Sequence, residues 1–407
     1  MQPAQRLIIG FASAGHFLHH VLTGLFLTLA VILEGIWQRP YAEIIALWTL
    51  GAAMIGVGAP LAGWLADRFG HARMMTVFFL GIGFASIIAG TVTDSAEMGL
   101  ALALLGGFGA IYHPVALAWV SMTAPPDARG RLMGILGIAG SIGVASAAVI
   151  AGGLAAIAGW RMAMILPGII TIIAGLALLF CLITGRVAAS NHQPGQEAAQ
   201  AAAASEAARI PWGVLIVLAI TFMLGSISYT AYSTALPKWV SDMLHLDPAR
   251  AAELGLIVGA TMLMGSAGQL IGGRLADRVP MKALYVATFL IKLPLMILAA
   301  WFGGAWALLV AVVIGFMFDF AAPVENLLLA RYSSGKRRGL AFGLKFAMGF
   351  VAAPLGVNLV AWAYGDAAGG APALFLTLAA LGLVMLVATM ALPRDAGART
   401  AARAVPA

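Results

Sequence analysis

Charge is what this sequence has least of. Asp, Glu, Lys and Arg make up only 10% of its 407 residues, against 62% hydrophobic, and mean hydropathy is +0.98. A water-soluble chain of this size needs far more charge to cover its surface, so most of this surface must face lipid. The short alternating segments of a membrane β-barrel are missing too. The apolar runs are long instead, as from Leu132 to Ile157, and helices satisfy their own backbone hydrogen bonds where no water reaches. Cysteine is nearly absent: Cys181 stands alone, which excludes an intramolecular disulfide and a cysteine-based metal cluster. There is no phosphate-binding glycine loop and no nucleophile motif, so neither an enzyme nor a cofactor is expected. The first apolar run, from about Leu7, is too long for a signal-peptide core and reads as the first span.

Apolar stretches set against turn signals place spans near 7–33, 42–66, 74–93, 98–123, 132–158, 161–185, 211–236, 250–276, 281–301, 304–330, 339–364 and 371–392. The expected fold is an all-α membrane protein of twelve transmembrane helices in two six-helix bundles. Residues 1–185 form the first bundle and 211–407 the second, with a short tail. Residues 186–210, rich in Ala, Gln, Ser and Glu, form a linker.

Of the 23 Lys and Arg, 17 fall on one side if both termini and the linker share it. Only Arg39, Arg161, Lys238 and Arg250 fall on the other, with Lys292 and Lys345 inside spans. This asymmetry makes the termini cytoplasmic at an inner membrane. It also accounts for the formal charge of +7 without nucleic acid as a partner. The two halves repeat. Gly63-Trp64-Leu65-Ala66-Asp67-Arg68 returns as Gly273-Arg274-Leu275-Ala276-Asp277-Arg278, and Arg129-Gly130 returns as Arg338-Gly339, both about 210 residues later.

The stretch from Gly63 through Asp67, Arg68 and Gly70 to Arg73 resembles the signature loop of the major facilitator superfamily, and the resemblance covers essentially the whole chain. It implies alternating-access transport, with Gly63, Asp67, Arg68, Gly70, Arg73, Asp277 and Arg278 as a latch between the halves. A weaker similarity joins His16-Phe17 and Gly109-Ala110-Ile111-Tyr112-His113-Pro114 to the fosmidomycin-resistance-type efflux group. The chain departs from these patterns at His19-His20 and Val115, where acidic residues are typical. It departs again at Ala103 in place of a span-four arginine, and in lacking the span-five antiporter proline. In the resembled fold the first, fourth, seventh and tenth spans line the central cavity.

Ionisable side chains at bilayer depth cost about 2.5–3.5 kcal/mol each on insertion scales, so they need partners or a wet cavity. His16 and His20 share a helix face four residues apart, whereas His19 points elsewhere. Either histidine suits a proton relay or simple interhelical hydrogen bonding. Two imidazoles without a further ligand in the span leave no metal site expected. Tyr112 and His113 precede Pro114, which frees the carbonyl of Ala110 for a solute or for a packing kink. In span ten, Asp319 is the proton-carrier candidate, with Lys292 as its partner. Glu325 either pairs with Lys345 or joins the coupling. Tyr229 and Tyr232, with Ser226 and Ser233, recur at helical spacing in span seven and serve either binding or packing.

The expectation is therefore a monomeric secondary transporter of a small molecule, driven by protons, with export favoured over uptake. A non-transporting receptor on the same fold is the alternative from another class.

Overall fold

The computed structural model describes residues 2–125, 128–188, 212–333 and 338–393, and all regular structure among them is helical. Most of the expected linker, 189–210, lies outside the described residues. The first half comprises α1 (Pro3–Trp37), α2 (Tyr41–Ala46), α3 (Trp48–Phe69), α4 (His71–Thr91), α5 (Ser95–Gly109), α6 (Tyr112–Thr123), α7 (Arg129–Ala158) and α8 (Trp160–Ile183). The second comprises α9 (Trp212–Leu244), α10 (Ala251–Ala276), α11 (Met281–Ala299), α12 (Gly304–Tyr332), α13 (Arg338–Ala363) and α14 (Ala371–Met390). Among the described residues eleven spans are long and apolar enough to cross a bilayer. The apolar run Ala347–Ala363 of α13 supplies a shorter twelfth.

Fourteen helices serve twelve spans because the second and fourth spans are each broken in two. The fourth is interrupted at Ala110 and Ile111, shortly before Pro114; both residues keep right-handed helical dihedrals, so the proline kinks the span without ending it. Asp94 caps α5 by accepting the Glu97 backbone N–H at 2.9 Å, and the Glu97 carboxylate in turn accepts the Thr93 backbone N–H at 2.7 Å. Single glycines join α3 to α4 and α7 to α8. Gly70 and Gly159 take φ of 94° and 85°, where a side chain would be strained.

The duplication read from the sequence returns in the packing. In the first half α1 lies on α7, α3 on α5 and α4 on α8. In the second, α9 lies on α13, α10 on α12 and α11 on α14. Each first-half pair corresponds to the second-half pair six spans later. The repeated glycines behave alike: a Cβ on Gly63 would sit 3.9 Å from Pro114, and one on Gly273 would sit 3.9 Å from Pro323.

The halves meet through α7 against α10 and α3 against α13. Small residues allow this approach, because lipid offers no hydrophobic gain for helix pairing and close backbone contact must supply the attraction. A Cβ on Gly152 would strike the Ala251 carbonyl, and one on Gly56 would lie 2.9 Å from the Phe350 carbonyl. Further cross-half contacts gather at the end opposite the Gly63–Arg73 loop. Lys238 Nζ pairs with Glu34 at 2.8 Å, and the Tyr41 hydroxyl donates to the Thr234 carbonyl at 3.2 Å. Large apolar side chains such as Val57, Ile157 and Trp301 are left exposed on the outer face, which suits lipid.

Candidate functional site

A cavity of about 620 Å³ lies between the halves, a volume suited to a small organic molecule. His19, His20 and His113 form part of its first-half wall. Tyr229, Lys292, Asp319, Glu325 and Lys345 stand on the second-half wall, and Phe350 meets the His113 ring across the division at 5.5 Å.

The histidines on α1 and α6 come together. His20 Nε2 lies 3.1 Å from His16 Nε2, and His16 Nδ1 lies 2.7 Å from the Leu136 carbonyl. A carbonyl only accepts, so His16 carries a proton on Nδ1 and presents the lone pair of Nε2 inward. The His113 ring centroid is 5.3 Å from that of His16 and 5.6 Å from that of His20. Ring nitrogens of His16, His20 and His113 lie within 4.8 Å of one another. α6 thus supplies the third imidazole that span one lacks.

His19 departs from expectation. Its ring lies 4.9 Å from His113 and 5.4 Å from Tyr112, it is buried, and its Nδ1 has no hydrogen-bond partner among the described residues. The reason is that α1 is central to its bundle, touching α4, α6, α7 and α8, so no face at this level points away. Helical spacing alone cannot show that enclosure.

Three expected site residues, His16 among them, stand behind the wall. Tyr112 is fully buried, donates to the Ala12 carbonyl at 2.8 Å and stacks on His16 at 5.0 Å. Tyr232 donates to the Ala311 carbonyl at 2.7 Å, while Tyr229, three residues earlier, faces the cavity.

On the second half Glu325 is held. It pairs with Lys345 Nζ at 3.3 Å and accepts from the Tyr285 hydroxyl at 3.1 Å, and Lys345 also donates to Asn326 Oδ1 at 2.7 Å. Asp319 makes no hydrogen bond or ion pair among the described residues. Lys292, expected to partner it, lies instead over the rings of Phe318 at 4.3 Å and Phe289 at 4.9 Å. The register explains this: Phe318 and Asp319 point about 100° apart around α12, and Lys292 meets the former. Gln269 of α10 also lines the cavity and was not anticipated. Its signal was present as a lone amide in an apolar, glycine-rich span.

In the loop between α3 and α4, Arg68 lies over Trp64 and Phe69, at 5.9 and 5.7 Å, and Arg73 donates to the Phe69 carbonyl at 3.4 Å. Asp67 is exposed near the end of α3, and Asp277 and Arg278 follow α10 at the same end of the molecule.

The sequence model of the Major Facilitator Superfamily matches residues 12–328 and 250–407. The chain belongs to the major facilitator superfamily. Its relatives are transporters of several kinds. The multidrug efflux pump Tap of Mycolicibacterium fortuitum is 26% identical over 378 residues, covering 87% of each chain. The puromycin resistance protein pur8 of Streptomyces alboniger is 35% identical over 143 residues, 34% of this chain and 28% of that one. The chain thus spans well under half of that relative's length. Among solved structures, a bacterial homolog of the human lysosomal transporter Spinster, inward-facing and unoccupied, aligns with a TM-score of 0.72 at 15% identity. That alignment covers 96% of this chain and 95% of that one, a likeness of fold. This superfamily member is a multi-pass membrane transporter, not an enzyme.

Proposed function

We propose that this transporter exports a small organic solute across the inner membrane in exchange for protons, with the Gly63–Arg73 loop on the cytoplasmic side. The observation that carries the reading is Asp319, a carboxyl on the cavity wall without hydrogen bond or ion pair among the described residues. A carboxyl in such a place can bind and release a proton as the cavity changes sides, whereas Glu325 is committed to Lys345 and Tyr285. Tyr229 offers a neutral hydrogen bond to a solute, Ser226, whose proton goes to the Gly349 carbonyl at 2.8 Å, can accept one, and Phe222 and Phe350 offer aromatic surface. The cross-half contacts at Glu34–Lys238 and Tyr41–Thr234 close the far end, consistent with a cavity reached from the cytoplasm. The Asp67 and Asp277 loops would engage when that side shuts. The efflux relatives favour export.

The test is transport in proteoliposomes with an internal pH dye, using solutes found by a resistance screen. Solute-dependent proton movement should be present in the native protein and lost in Asp319→Asn. Solute flux that survives both Asp319→Asn and collapse of the proton gradient would sink the coupling.

A further inference from the structure

We propose that His16, His20 and His113 form a binding site for one divalent transition-metal ion of the zinc class, resident in the first half. Three ligand nitrogens within 4.8 Å of one another already stand close to a coordination shell. At zinc–nitrogen bonds of about 2.0–2.1 Å, tetrahedral ligands lie about 3.4 Å apart. The His16–His20 nitrogens, at 3.1 Å, are near that spacing, and the His113 ring need only swing inward.

The surroundings are those of a metal-binding imidazole set. The Leu136 carbonyl holds His16 by Nδ1 at 2.7 Å, which turns Nε2 toward the other two rings. Metal-bound histidines are commonly oriented by such a bond to the far nitrogen. The His16 ring also occupies space that only glycine leaves open, because a Cβ on Gly140 would strike it. Tyr112 stacks on the His16 ring and ties α6 to α1 through Ala12. His19 packs its ring 5.0 Å from that of His20 but stands outside the ligand set. His20 and His113 line the cavity, which gives an ion its way in.

The donor set selects the ion. Imidazole nitrogens without thiolate suit zinc, nickel, cobalt or copper rather than calcium or magnesium, which want oxygen. The ligands all belong to one bundle. Rocking of the halves therefore leaves the cage intact, which fits a resident ion better than a released one. The proposal is independent of proton coupling through Asp319 and stands or falls by binding, not flux.

The experiment uses the full-length protein in detergent, with any affinity tag removed and metal stripped by chelator. Equilibrium dialysis against zinc should leave one ion per chain, and cobalt should give the intense visible absorption of a tetrahedral site. His16→Ala and His113→Ala should each weaken zinc by about 100-fold or more, while His71→Ala, outside the cage, should not. Should the alanine variants fold poorly, His113→Gln keeps bulk and hydrogen bonding. Zinc should raise the thermal midpoint of the native protein and not of His113→Gln. No stoichiometric zinc, a weak octahedral cobalt spectrum, or binding unchanged in the cage variants would overturn the site.

Discussion

Glu325 and Asp319 lie six residues apart on one helix and differ in what touches them, and that difference sets their expected behaviour on substitution. Glu325 and Lys345 are partners at 3.3 Å with side chains only 16% and 15% exposed. Removing one partner strands the other charge, at a cost of about 3 kcal/mol or more for a well-buried pair. Lys345→Met should therefore lower the thermal midpoint, and the double variant Glu325→Gln/Lys345→Met should recover most of the loss. Scanning fluorimetry of the three proteins checks this. If the double variant is no better than the single, the pair is not what holds these groups. Span seven makes a second contrast. Tyr232 bonds the Ala311 carbonyl behind the wall and Tyr229 faces the cavity. Tyr232→Phe should cost about 1 kcal/mol of stability and leave solute affinity near the native value. Tyr229→Phe should do the reverse, raising KM with little change in midpoint. The sequence placed both tyrosines on cavity span seven but could not separate them. Positions 229 and 232 sit only about 60° apart around a helix, so spacing puts both on one face, and only the neighbours decide which of them reaches the cavity. The same limit hid the ring contact of Lys292 and the enclosure of His19.

At the scale of helices, the long apolar stretches made the spans legible, since lipid leaves a chain little alternative to helix. Their repeat was legible in the motif itself, and Gly63 and Gly273 take matching places, each beside a proline, Pro114 and Pro323. The break between α5 and α6 was only partly legible. Pro114 announced a distortion, but its extent depends on how the chain rejoins beyond Ile111. The stripe of small residues on α7 was visible as Gly143, Ala147, Ala148, Ala151 and Gly152, yet which partner it served was not. Gly143 proves to face α1, where a Cβ would lie 2.5 Å from the Phe17 carbonyl, and Gly152 faces α10 at the Ala251 carbonyl. Forced bulk at such contacts typically costs about 1–3 kcal/mol. Gly143→Val should thus destabilise the first bundle itself. Gly152→Val should instead prise the halves apart at the Glu34–Lys238 end. Spin-label distances across that end should lengthen in Gly152→Val. Gly153→Ala, whose Cβ meets nothing within 4 Å, should match the native protein.

For the whole molecule the question is whether the Glu34–Lys238 end must open for transport. Lys238 bridges Glu34 of the other half at 2.8 Å and Asp242 of its own helix at 3.0 Å, and Tyr41 reaches the Thr234 carbonyl beside them. Charges at the membrane surface are part-hydrated, so this cluster contributes only modestly and can be broken within a cycle. Alternating access requires that breaking, because the cavity cannot empty at a closed end. The chain is convenient for a direct trial, since Cys181 is its only cysteine. In a Cys181→Ser background, Glu34→Cys and Lys238→Cys joined by a short reducible bifunctional reagent should abolish solute flux in proteoliposomes. Reduction should restore it, and either single cysteine treated alike should retain flux. Undiminished transport by the tethered protein would mean that the halves do not separate there and that solute leaves by another route.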